Sequence, residues 1–225
     1  MFKKLMEILQ RENLLKQSVD TLEIMLKKNR ETFKLVTDFL VIGKEIEKNI
    51  HNEDKKINRY EIEIRKKILE HVSINPEQDV TFALILLGAT RDIERTGDFM
   101  KNIYDISLKL EGGFSSNKYT EIIKKQINII LEMFDLTHDA FINSDEEKAK
   151  KVVQMHKNKV CSRSDQIIMD TIDDVDIKAK NAVIYALLAV YFRRIGAHLA
   201  NVASSVISPF EKIRYIDNNK ELSDI

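Results

Sequence analysis

From residue 14 onward, apolar side chains return every three or four positions along the chain. Leu15, Val19, Leu22, Met25 or Leu26, Phe33, Val36 and Leu40 keep helical spacing and predict a long first helix from Leu14 to about Phe39. Ile46, Ile50, Ile57, Ile64 and Ile68 share one face of a second helix, which runs from after Val41 to His71. In SINPEQD, Asn75 suits a cap, Pro76 a first helical position and Gln78 the return half of a capping box, so a third helix starts at Pro76. It runs through TFALILLGA to a stop at Gly112 and Gly113. TFALILLGA is apolar on nearly every side, but its length and its continuation into spaced charges favour helix over strand. After the linker EGGFSSN the plan recurs. A helix spans about Lys118 to Ile142, another follows Ser144 with Glu147 placed for a capping box, and an apolar helix runs from about Asp176 to Ser208 before Pro209. The pattern predicts an all-α chain of six main helices in two tandem three-helix bundles, 1–113 and 114–225.

Residues 2–12 form a short amphipathic segment with Phe2, Leu5, Met6, Ile8 and Leu9 against mixed charges, which favours packing on the body over membrane docking. The end, IDNNKELSDI, reads as a polar tail.

Composition supports long helices. Only two Pro and six Gly occur in 225 residues, and 32% are charged. Lys plus Arg and Asp plus Glu balance at 36 each, so no global field points to nucleic acid. The N-terminus lacks a signal peptide's continuous apolar core, and the most apolar stretch, Ala182 to Phe192, is shorter than the roughly 20 residues that cross a bilayer. The single Cys161 excludes an internal disulfide and suits a reducing, cytoplasmic compartment.

Candidate chemistry gathers in ATRDIERTGDFMKNI, Ala89 to Ile103. Shifted by 99 residues it returns as AVYFRRIGAHLANV, so that Arg95, Gly97 and Asn102 fall on Arg194, Gly196 and Asn201. Gly97 and Gly196 each disfavour helix by roughly 1 kcal/mol relative to Ala, which predicts a close helix approach at both. Glu94 and Asp98, four residues apart, aim at one point, and Asp54 and Asn58 repeat that spacing on the second helix. If those helices face one another, four oxygen donors converge, and a divalent or trivalent cation would relieve the repulsion between carboxylates. Iron, Mn, Mg and Ca all suit hard oxygen ligands. The competing reading is a solvated face on which Arg91, Arg95 and Lys101 balance Asp92, Glu94 and Asp98 as intrahelical ion pairs.

The run DIERTGDFMKNI resembles the signature of the PhoU family, a helix with an acidic-x-x-x-Asp motif inside a run like LERIGDHATNIA. FRRIGAHLANV matches it in the second half, and NEDKKINRYE and HKNKVCSRSD look like the family's second-helix segment. The resemblance covers nearly the whole chain. It implies a pair of three-helix bundles and a cytoplasmic regulator of phosphate uptake acting with a phosphate transporter component or a phosphate-responsive sensor kinase. It also implies a metal site at Glu94, Asp98, Asp54 and Asn58, since several members bind metal through their acidic motifs. Membrane association is then at most peripheral, through a transporter, and the broad faces of two thin bundles suggest a homodimer.

The second half lacks the acids. Arg193 and Ala197 replace Glu94 and Asp98, and Lys157 and Cys161 stand for the second-helix pair, so no metal is expected there. His156 and Cys161 are five apart, a poor helical spacing for a soft-metal site with His198, and a packed Cys with two ordinary His residues is the better reading. Arg193 and Arg194 suit an anion in principle, but salt bridges or packing explain them more simply. No catalytic signature appears: ferritin-like centres need Glu-x-x-His on two helices, and only Asp135-x-x-His138 comes near. A non-enzymatic regulator is expected, with a metal-free helical scaffold, or less well a carboxylate-metal enzyme, as the alternatives.

Overall fold

The structure, a computed structural model, describes residues 14–74, 79–110, 114 and 117–208, and every regular element among them is helical. The expectations for residues 2–12, for Asn75, Pro76 and Gln78, for Gly112 and Gly113 and for the C-terminal tail lie outside the described residues.

The first half holds α1 (Leu14–Ile42), α2 (Ile50–Ile74) and α3 (Val80–Ser107). The second holds α4 (Lys118–Asn143), α5 (Glu146–Met155), α6 (Ser162–Asp173) and α7 (Ala179–Ile207). A π-helical turn, His156–Cys161, joins α5 to α6 without a break, so the seven segments make six rods. The expected pair of three-helix bundles is the observed fold.

Local chemistry explains the ends. Gly43 at φ 66° returns its N–H to the Phe39 carbonyl at 3.0 Å, the left-handed stop that ends α1. Asn117 caps α4 by accepting from the backbone N–H groups of Tyr119 and Thr120, while the Thr120 hydroxyl accepts from the Asn117 N–H in return. The described part of the third helix begins at Val80, after Asp79 in the left-handed region at φ 60°. The start of α5 differs from the sequence expectation. Ahead of α5, Ser144 is the left-handed end of α4 and Asp145 is the cap, accepting from the Lys148 N–H at 3.0 Å. Glu147 therefore falls one residue short of the capping-box position and pairs with Lys150 on the surface.

Buried apolar residues from both halves form one continuous core. Antiparallel α3 and α7 pack through its centre, and α1 lies against α4. Phe33 of α1 sits between Phe134 of α4, at 5.8 Å between ring centroids, and Phe192 of α7, at 5.9 Å. Over its whole length α7 is long and apolar enough to cross a membrane, which the shorter run from Ala182 does not suggest. Here its buried face packs on α3, α4, α5 and α6.

Each bundle's third helix carries its glycine against the preceding helix, but the two glycines are not equivalent. A Cβ on Gly196 would lie 3.0 Å from His156 Nδ1 and 3.2 Å from Val160, the tight approach expected. On Gly97 it would meet Asp54 Oδ1 at 3.5 Å and Ile57 at 3.9 Å, which is ordinary contact, so helix spacing does not demand glycine there.

Candidate functional site

The faces that the sequence pairs do meet. Asp54 and Asn58 of α2 and Glu94 and Asp98 of α3 lie at the α2/α3 seam of the first bundle, because α2 turns Ile50, Ile57 and Ile64 into the core and carries Asp54, Asn58 and Glu61 beside that stripe. Asp54 and Glu94 are each 9% exposed, low values for carboxylates. Three of the four residues hold a buried oxygen with no hydrogen-bond partner: Asp54 Oδ1, Asn58 Oδ1 and Glu94 Oε2. Such atoms carry a desolvation cost of about 1–3 kcal/mol each unless something pairs with them.

Cations of the chain take up the rest. Lys101 Nζ donates to Asp54 Oδ2 at 2.9 Å and to Asp98 Oδ1 at 3.1 Å, bridging the two helices. Arg95 donates to Asp98 Oδ2 at 3.1 Å, and its Nε stands 3.9 Å from Glu94 Oε2, too far for a hydrogen bond. Ion pairs thus satisfy Asp98 as the competing sequence reading has it, and leave Glu94 strained. Burial first, then the neighbouring charges of Asp98 and Glu61, push the Glu94 carboxyl above the usual carboxylate range.

Two members of the cluster escape a sequence reading. Glu61 is buried one turn beyond Asn58, accepts from Arg65 Nη2 at 2.6 Å and faces Arg91 at 3.8 Å. Its place, seven residues after Asp54, was the available signal. Asn29 of α1 closes the cluster from behind, donating to the Ile93 carbonyl at 2.7 Å and to Thr96 Oγ1 at 2.8 Å.

As a metal site the cluster fits in donor chemistry: hard oxygens from two helices, three of them unpaired. It is not a preformed cage, since among the described residues no three His, Cys, Asp or Glu side chains already stand at ligating distance. Were a hard cation bound, Asp54, Asn58, Glu94 and Asp98 would be its donors, and it would neutralise the repulsion among the three carboxylates.

A raised folded pKa means that the neutral acid is favoured in the fold. Ionised Glu94 therefore costs stability once pH rises above the unfolded carboxylate value, and costs nothing below it. In metal-free protein, Glu94→Gln is expected to be more stable than wild type at pH 7 by about 1 kcal/mol, and the difference should vanish in acid. Urea melts at both pH values check this; a variant less stable at pH 7 would overturn it.

The second bundle differs in a way that spacing concealed. Gly97 meets Asp54 and Ile57, three apart, whereas Gly196 meets His156 and Val160, four apart. The π turn holds the additional residue, so the counterpart of Asp54 is His156, and Lys157 is exposed instead of facing the seam. The wide turn also brings together what helical spacing separates: His156 Nε2 lies 3.5 Å from Cys161 Sγ. Burial, with Arg193 nearby, lowers the His156 pKa to about 4, and burial raises that of the Cys161 thiol. A neutral imidazole beside a neutral thiol is not an activated nucleophile. Arg193 donates to Asp165 at 2.6 Å, the expected salt bridge, and Arg194 is exposed.

His198, the third His or Cys of that sequence group, belongs elsewhere. Its Nδ1 lies 2.8 Å from Oδ1 of buried Asp92, and Asn201 Nδ2 donates to the same oxygen at 3.2 Å, tying α7 to α3. Phe99 stacks on the His198 ring at 5.7 Å.

Known proteins share this architecture. The crystal structure of the phosphate transport system regulatory protein PhoU from Streptococcus pneumoniae superposes with a TM-score of 0.78 at 18% identity, covering 92% of this chain and 98% of that one. The phosphate-specific transport system accessory protein PhoU homolog 1 of Thermotoga maritima is 23% identical over 175 residues, which is 76% of this chain and 72% of the relative. The family model described as the PhoU domain matches twice, over residues 22–107 and 123–206, so each bundle carries one copy. With both halves matched over most of their length, the chain belongs to the PhoU family.

Proposed function

We propose that this chain is a non-enzymatic regulator of phosphate uptake that works by binding another protein, either a component of a phosphate transporter or a phosphate-responsive sensor kinase. The observation that carries the reading is the paired PhoU domain spanning both bundles. The relatives' names, an accessory and a regulatory protein of phosphate transport, support it. A cytoplasmic location and a homodimer complete the proposal, with any membrane contact made through the transporter.

Within it, Glu94, Asp98, Asp54 and Asn58 form a metal site of the first bundle for iron, Mn, Mg or Ca. The three unpaired buried oxygens support this. The Lys101 bridge favours the second reading, a metal-free scaffold whose acids are balanced from within.

Deleting the gene should alter phosphate uptake in phosphate-replete cells, and the chain used as bait should recover a phosphate transporter component or a sensor kinase. Unchanged uptake together with recovery of neither would sink the regulatory reading. Elemental analysis of protein purified without chelator, beside Glu94→Gln/Asp98→Asn, separates the two versions: metal in wild type and none in the variant supports the site, and equal traces in both support the scaffold.

A further inference from the structure

We propose that Lys101 is the built-in counter-cation of the acidic cluster, neutralising Asp54 and Asp98 from a seat beside the oxygens a metal would use, and that a metal can bind only by displacing it. The second half of the inference rests on the metal reading above; the first does not.

The geometry is specific. Lys101 stands one turn beyond Asp98 on α3 and crosses the seam to α2, so that one ammonium serves one carboxylate on each helix, at 2.9 and 3.1 Å. It is half-buried, with its side chain 25% exposed, and it serves a nearly buried partner in Asp54. An ion pair in such surroundings is screened far less than one on the surface. The other bases cannot take its place: Arg95 is committed to Asp98 Oδ2, and Arg91 lies 3.8 Å from Glu61.

The ammonium covers only part of the need. It engages Asp54 Oδ2 and Asp98 Oδ1, while Asp54 Oδ1, Asn58 Oδ1 and Glu94 Oε2 remain buried without a partner. A cation drawing on those three oxygens and on Asp98 would sit beside the lysine and be repelled by it. Lys101 therefore sets the threshold at which metal enters. Partial exposure gives its long stem somewhere to go, since a lysine head readily moves out to water. The second bundle has no such lysine, Ala200 standing 99 residues on from Lys101, and no acidic pair that would need one.

The test compares wild type with Lys101→Met, which keeps the stem and removes the charge. Both are stripped of metal, melted, and then titrated calorimetrically with Mn2+, Mg2+, Ca2+ and anaerobic Fe2+ in turn. Metal-free Lys101→Met is expected to melt roughly 3 °C or more below wild type. It should bind at least one of these ions about tenfold more tightly than wild type, because no ammonium has to leave. An unchanged melting temperature overturns the counter-cation outright. A lowered melting temperature with equal affinity in both proteins overturns the displacement. If both fail to bind any of the four ions while the melting temperature still falls, the metal reading and the displacement fall together and the counter-cation stands alone.

Discussion

Phe33→Ala should lower stability by about 3–5 kcal/mol, among the largest losses any single truncation in this chain can give. The ring is fully buried and contacts one aromatic from each of two second-half helices, Phe134 and Phe192. Removing it opens a cavity at the junction of α1, α4 and α7, where three long helices cannot collapse without disturbing the others. The lost tilted and edge-on ring contacts add to the burial lost. At 2–4 °C per kcal/mol for a chain of this size, the melting temperature should fall by roughly 10 °C. Because the core is continuous, both halves should still unfold in one transition. Circular dichroism and intrinsic tyrosine fluorescence melts check both statements. A drop below about 1 kcal/mol, or two separated transitions with only the first half affected, would show that Phe33 does not join the halves.

Asp92→Ala is expected to cost about 2–3 kcal/mol, more than truncating an exposed acid in the same helix. Asp92 reads in sequence as one more charge among Arg91, Glu94 and Arg95, yet it is 4% exposed and accepts from His198 and Asn201 across the α3/α7 seam. Its loss strands two donors of α7. A double-mutant cycle with His198→Ala isolates the contact: the pair should cost less than the sum of the two singles by about 1 kcal/mol or more. Strict additivity would mean that Asp92 matters only to its own helix.

The sequence makes the helices legible because burial leaves a periodic mark. The stripe Leu15, Val19, Leu22 and Leu40 is the buried face of α1. The repeat was legible for the same reason, and with it the approach of Asp54 on α2 to Asp98 on α3, which Lys101 bridges. Three features left no periodic trace. Lys101 looks like any surface lysine three residues from an acid, and only the α2/α3 approach shows that it reaches Asp54. Asp79 takes a left-handed conformation that a favourable Asn-Pro-x-Gln string upstream gives no cause to expect. The π turn changes the rule by which spacing is read, so His156 and Cys161, five apart and misaligned on an α-helix, come to 3.5 Å.

That turn also fixes how the two halves are to be counted against each other. Ahead of it, buried Ile50 corresponds to buried Val152, 102 residues on; beyond it, Ile64 corresponds to Ile167, 103 residues on. One added residue would rotate everything downstream on an ordinary helix by about 100° and carry Ile167 out of the core. Widening a single turn absorbs the rotation, so the duplicated halves have drifted out of step in sequence while keeping step in space.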